Sequence, residues 1–111
     1  MGDLDEKTTV QQLKDLVQTF QKERNWLDYH KPRNISISIC LEAAELLELF
    51  QWDDRNDKKS LEKGGKFQLL KEELSDVIIY CLTMANSMNI DIAESIAQKM
   101  EKNAEKYPVP Q

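Results

Sequence analysis

Four carboxylates stand where a helical pattern calls for apolar residues. Glu42 and Glu45 form a Glu-x-x-Glu pair, and Glu73 and Asp76 form a Glu-x-x-Asp pair further along the chain. With Glu42 at zero on a helical wheel, Ile35 falls at about +20°, Leu46 at about +40°, Ile39 at about +60° and Leu49 at about −20°. Glu42 is thus in the middle of an apolar stripe, and Glu45 is on its edge. With Glu73 at zero, Tyr80 falls at about −20°, Leu69 at about −40°, Val77 at about +40° and Leu70 at about +60°. Asp76 is again one i+3 step away. A buried carboxylate without a partner is costly, so it must take up a proton or find a cation. Two such pairs facing one another suit a hard divalent cation with oxygen ligands, Mg²⁺ or Mn²⁺. The plainer alternative is a set of ion pairs to Lys99, Lys102, Lys106 or Arg33 in a simple bundle.

Other metal chemistries are poorly served. The chain has one histidine, His30, and two cysteines, Cys40 and Cys81. That inventory disfavours a His/Cys zinc site. No Glu-x-x-His is present for a carboxylate-bridged di-iron bundle. Both cysteines lie in apolar stretches outside any C-x-x-C pair, so they read as reduced core thiols of a cytoplasmic protein. A net charge of −5 disfavours non-specific nucleic-acid binding. The first nine residues are polar and acidic, so no signal peptide is expected, and no apolar run is long enough for a membrane span.

The elements that must position the acids are helices. The chain has 111 residues with only three Gly and three Pro, few for the turns of a sandwich or barrel. The expected fold is a single all-α domain, residues 1–111 with a core of about 9–107, built as a four-helix bundle. The first helix starts at Thr9, with Gln12 as capping-box partner, and ends around Trp26 to Tyr29. Residues 28–34 form a connector, because Pro32 disfavours helix at Lys31. The second helix starts at Asn34 or Ile35, with Asn34 as N-cap, and runs to Gln51. Residues 53–65 form a polar loop closed by Gly64-Gly65. The third helix covers about Lys66 to Met88, and the fourth about Ile92 to Lys106 after an Asp91 cap. The second helix is apolar on nearly every side, which predicts burial on all sides. A chain of 13.0 kDa has little room for that, so an oligomer is expected.

At this point the residues resemble a known family. The segment Phe20 to Trp52, FQKERNWLDYHKPRNISISICLEAAELLELFQW, is similar to the MazG-like all-α nucleotide pyrophosphohydrolases, and within them to the dCTP pyrophosphatase branch. EELSDVIIY, from Glu72 to Tyr80, resembles a second motif of that branch, and KMEKNAEKYP, from Lys99 to Pro108, a third. The resemblance implies that a nucleoside triphosphate and water give the monophosphate and pyrophosphate. It places Glu42, Glu45, Glu73 and Asp76 on the Mg²⁺-binding acids, with Glu45 or Glu42 activating water. It implies that Lys99, Asn103, Lys106 and Tyr107 contact phosphate or sugar, the alternative being the solvated face of a last helix. Trp26 and Trp52 resemble base-pocket aromatics, or else anchor helix ends against the bundle. His30 and Arg33 belong to a connector motif, and Tyr80 lines the pocket or merely packs. A homodimer or homotetramer is implied, with the site near the subunit interface and residues donated by the neighbour. The same chemistry on dUTP or phosphoribosyl-ATP, and a non-catalytic helical interaction module, are the alternatives.

Overall fold

The computed structural model describes residues 2–52 and 57–110. Among them the only regular structure is helical: α1 (Leu4–Lys7), α2 (Val10–Glu23), a 3-10 turn (Leu27–Tyr29), α3 (Pro32–Glu48), α4 (Lys58–Lys63), α5 (Phe67–Ser87) and α6 (Ile92–Lys106). The first and last long helices begin where local chemistry dictates. Thr9 Oγ1 accepts from the Gln12 N–H at 3.0 Å while Gln12 Oε1 accepts from the Thr9 N–H at 2.8 Å, a complete capping box. Asp91 Oδ1 accepts from the Glu94 N–H at 3.0 Å and starts α6.

Three helices stop in the same way. Asn25, Gly65 and Asn89 have φ of 60°, 75° and 56°, the left-handed region. The following N–H then reaches back five residues: Trp26 to the Gln21 carbonyl at 3.0 Å, Lys66 to Leu61 at 2.9 Å and Ile90 to Ala85 at 2.8 Å. This is the Schellman termination, which satisfies carbonyls that a helix end leaves open.

Several boundaries depart from expectation. α2 ends at Glu23 rather than near Trp26, because Asn25 turns the chain. α3 begins at Pro32 itself, not at Asn34 or Ile35. Proline disfavours helix at the residue before it, yet it is well suited to the first helical position, where its missing N–H costs nothing. Asn34 is therefore not the cap, and its Nδ2 donates to the Tyr29 carbonyl at 3.1 Å. α3 also ends earlier than expected, at Glu48. The expected polar loop contains α4, capped by Asp57 Oδ1 accepting from the Ser60 N–H and pinned by buried Leu61. The remainder of that loop, residues 53–56, lies outside the described residues.

α3 and α5 share the most extensive interface, α2 lies along α5, and α4 also packs on α5. Among the described residues the core is small: Ile35, Leu61, Leu82 and Ala85 are the buried apolar residues. A buried polar bridge joins α2 to α5, with Gln21 Nε2 donating to Thr83 Oγ1 at 2.9 Å and Thr83 donating to the Ile79 carbonyl at 2.8 Å. Asn86 donates to the Lys14 carbonyl at 3.0 Å, and Lys14 Nζ donates to the Ile90 carbonyl at 2.8 Å. Lys66 Nζ donates to the Leu49 carbonyl at 2.8 Å, placing a cation at the negative end of α3.

The expectation that α3 is covered on all sides fails within one chain. Only Ile35 of α3 is buried, while Ile37, Leu41 and Leu47 are 49, 61 and 68% exposed. Cys40 and Cys81 are exposed as well, so neither is a core thiol here. α6 has no buried residue, and its Ile96 and Met100 face outward. No helix among the described residues is long and apolar enough to cross a membrane.

Candidate active site

The long helices bring the acids together. One carboxylate oxygen each from Glu42, Glu73 and Asp76 lies within 4.8 Å of the other two, and all three residues are half-buried. Glu42 Oε2 and Glu73 Oε2 are sealed from water and have no hydrogen-bond partner. Two sealed carboxylate oxygens with no donor are a strongly electronegative arrangement. The cost shows in their acidity. Burial first, then the nearby Glu45 and further acids, pushes the Glu42 carboxyl above its ordinary value. Burial followed by Glu45, Asp76 and Glu72 does the same for Glu73. Glu45 is more exposed and stands outside the tight group of three, yet it acts on both.

The residues fit a hard divalent cation. They offer only oxygens, they converge within bonding reach of a single ion, and two of those oxygens lack any other partner. The alternative of ion pairs finds no support: among the described residues none of the four acids pairs with Lys99, Lys102, Lys106 or Arg33.

A cavity of about 350 Å³ opens beside the acids, lined by Trp26, Tyr29, His30, Asn34, Ile35, Ser38 and Tyr80. Four of these side chains carry rings, and the volume falls in the range of small-molecule sites. The chain turn at Asn25 delivers Trp26 to it, and the Phe20 ring meets the Trp26 ring edge-on at 5.6 Å and 76°. Arg24 stacks over the other end of this pair, 3.6 Å from the Phe20 centroid. The His30 carbonyl accepts from Ser87 Oγ at 2.8 Å, which ties the connector to the end of α5. Burial lowers the His30 pKa, so its imidazole is the neutral form at physiological pH.

The acids and the cavity are in register on both helices. Ser38 precedes Glu42 by one turn of α3, and Tyr80 follows Asp76 by one turn of α5, a step of about 5.4 Å. Of the residues singled out in the sequence, Trp26, His30 and Tyr80 share the lining of this cavity. Trp52 does not line it and is 89% exposed. Arg33 is exposed and outside it. On α6, Lys99 and Lys106 are exposed and the Asn103 Nδ2 donates to Met100 Sδ at 3.9 Å, while Tyr107, just past the helix, lies under the Lys106 ammonium at 5.4 Å. No hydrogen bond or ion pair among the described residues links them to the acids. Tyr29, Asn34 and Ser38 were not foreseen. The signal for the last two was present on the wheel: with Glu42 at zero, Ser38 falls at about −40° and Asn34 at about −80°, on the side of Glu45.

A helical domain that holds convergent acids beside an aromatic cavity defines a class, and comparison with known proteins agrees. The MazG-like family model matches residues 37–111, a span that holds all four acids and α6. dCTP pyrophosphatase 1 of Homo sapiens is 35% identical over 103 residues, covering 90% of this chain and 59% of the relative. The Mus musculus protein of the same name is 36% identical over 107 residues, covering 91% and 60%. Among solved structures, a pyrophosphatase from Archaeoglobus fulgidus superposes with a TM-score of 0.76 at 40% identity, covering 89% of this chain and 92% of that one. The chain belongs to the MazG-like family. It spans about 60% of the length of the curated relatives it matches.

Proposed function

We propose that this protein is a divalent-metal-dependent nucleoside triphosphate pyrophosphohydrolase acting on dCTP-like deoxynucleotides, releasing the monophosphate and pyrophosphate in nucleotide-pool house-cleaning. The observation that carries this reading is the shared register: on α3 and on α5 a carboxylate stands one helical turn from a residue lining an aromatic cavity. A nucleotide has the same order, phosphate then sugar then base. The names of the human and mouse relatives support the substrate class, and the archaeal pyrophosphatase supports the bond that is cleaved.

Glu42, Glu73 and Asp76 hold the cation, Mg²⁺ or Mn²⁺. When bound, it supplies positive charge against the triphosphate and the departing pyrophosphate. Glu45 stands outside the trio and is therefore available to take a proton from water. The water oxygen then bonds to the α-phosphorus, the bond to the bridging oxygen breaks, and pyrophosphate leaves with that electron pair. Trp26 and Tyr80 offer flat faces to a pyrimidine, and neutral His30 and Asn34 offer polar atoms at its rim.

The same reading gives the exposed faces a use. Ile37, Leu41, Leu47, Leu74, Ile78, Ile96 and Met100 are all 47% exposed or more. Faces of this extent mark an interface, and we assign them to a homodimer or homotetramer. In that assembly Lys99, Asn103, Lys106 and Tyr107, with Arg33 and Trp52, reach the phosphates or base of a neighbouring subunit's site. We place the enzyme in the cytoplasm, with the nucleotide pool.

The test is pyrophosphate release from a panel of dNTPs, NTPs and phosphoribosyl-ATP, with Mg²⁺, with Mn²⁺ and with chelator. Metal-dependent release, highest from dCTP or a modified dCTP, is the expected result. A preference for dUTP or phosphoribosyl-ATP would retain the chemistry and replace the substrate. No release from any nucleotide by folded protein would overturn the reading in favour of a non-catalytic helical module.

A further inference from the structure

The hydroxyls of α3 and α5 are used in a uniform way, with one exception. Serine and threonine inside helices commonly donate to a carbonyl one turn back. Ser36 donates to the Pro32 carbonyl at 2.7 Å, Ser75 to Lys71 at 2.7 Å and Thr83 to Ile79 at 2.8 Å. Ser87 donates to the His30 carbonyl at 2.8 Å. Ser38 is the remaining serine of these two helices, and among the described residues its hydroxyl makes no such bond. It is half-buried and lines the aromatic cavity. Beside it in the cavity lining, Asn34 commits its Nδ2 to the Tyr29 carbonyl, and its Oδ1 has no partner among the described residues.

We infer that Ser38 is a specificity-determining residue whose hydroxyl hydrogen-bonds the polar edge of the bound base; this rests on the nucleotide reading of the site. The ring faces in this cavity are aromatic and carry no directional preference for one edge of a base over another. A hydroxyl that donates and accepts, partly withdrawn from water and uncommitted to the backbone, supplies that preference. Its place one turn before Glu42 sets it on the base side of the site, away from the reacting phosphorus. It is therefore a binding group, and its removal acts on KM while leaving kcat near normal.

The experiment compares Ser38→Ala and Ser38→Cys with the unmodified protein and with Ser36→Ala, using the preferred nucleoside triphosphate and an abasic 2-deoxyribose 5-triphosphate. Both Ser38 variants are expected to raise KM for the nucleotide roughly two- to tenfold, the range of one neutral hydrogen bond. Cysteine fills the space that alanine leaves open, so an equal loss in both separates the hydroxyl from packing. KM for the abasic substrate stays unchanged in every variant, as does KM for the nucleotide in Ser36→Ala. The inference is overturned if Ser38→Cys behaves as the unmodified protein, or if nucleotide and abasic substrate lose affinity alike. Absence of any turnover in the unmodified protein would overturn the parent reading, and this one with it.

Discussion

At Glu42 and Glu73 a sealed oxygen without a donor faces other acids, and the two features together explain both acidity and cation affinity. Glu42→Gln and Asp76→Asn keep the shape and remove a charge each. Each is expected to lower turnover by more than roughly a hundredfold, beyond the loss from groups that only orient a ligand, while the far-UV circular dichroism stays near normal. Full activity in either would remove the metal assignment. The raised carboxyls also set a pH dependence. The folded state holds their protons more tightly than the unfolded state does, so their contribution to stability is present at low pH and is lost as pH rises through the folded values. Asp57 opposes this, since its bond from the Ser60 N–H lowers its pKa and its contribution is lost as pH falls. Chelated protein is thus expected to melt higher as pH falls from neutrality toward the ordinary glutamate range. Added Mg²⁺ should raise the melting temperature most at neutral pH, because protons compete for the same oxygens. A chelated protein that melts steadily lower over that range would contradict the coupling. The convergence of Glu42, Glu73 and Asp76 was legible in the sequence because charge on an apolar stripe is conspicuous, whereas Glu45, on the edge of its stripe, stands outside that group. Ser38 and Asn34 were not, because a small polar side chain on a helix is ordinary until a second helix closes a cavity around it.

At the level of elements, helix starts were more legible than helix stops. Thr9 with Gln12 and Asp91 with Glu94 are local chemistry readable within four residues. Pro32 was read by its effect on Lys31, whereas its fit to the first helical turn decided the start of α3. α4 was missed because so short a helix shows no period and depends on the Asp57 cap and the burial of Leu61. Its end is set by Gly65, whose φ of 75° disfavours any residue with a Cβ, although open space surrounds the position. Gly65→Ala is therefore a purely conformational change, expected to cost about 1 kcal/mol and to lower the melting temperature by a few degrees. An unchanged melt would mean that the turn between α4 and α5 relaxes freely.

For the molecule as a whole, size and surface disagree with an isolated domain. The chain exposes 9244 Å², where a folded monomer of its mass exposes roughly 6,300 Å². Its radius of gyration is 16.7 Å, against about 13 Å for a compact domain of this length. The apolar residues that a core would normally take stand on α3, α5 and α6 facing out, which is also why Cys40 and Cys81 were misjudged as core. The helical wheel recognised that α3 is apolar all round and led to the expectation of an oligomer; within one chain those faces stay open, as the proposed assembly requires. Sedimentation is expected to give at least twice 13.0 kDa, and a stable species of that single mass would refute the assembly.

Leu41 is the immediate neighbour of Glu42 on α3, and Leu74 that of Glu73 on α5, so the outward apolar faces and the acids occupy the same few turns of backbone. Loss of a neighbouring copy would loosen the turns that aim the carboxylates. Output per chain should then fall when the protein is diluted and recover on reconcentration, so that scarcity itself would silence the proposed activity.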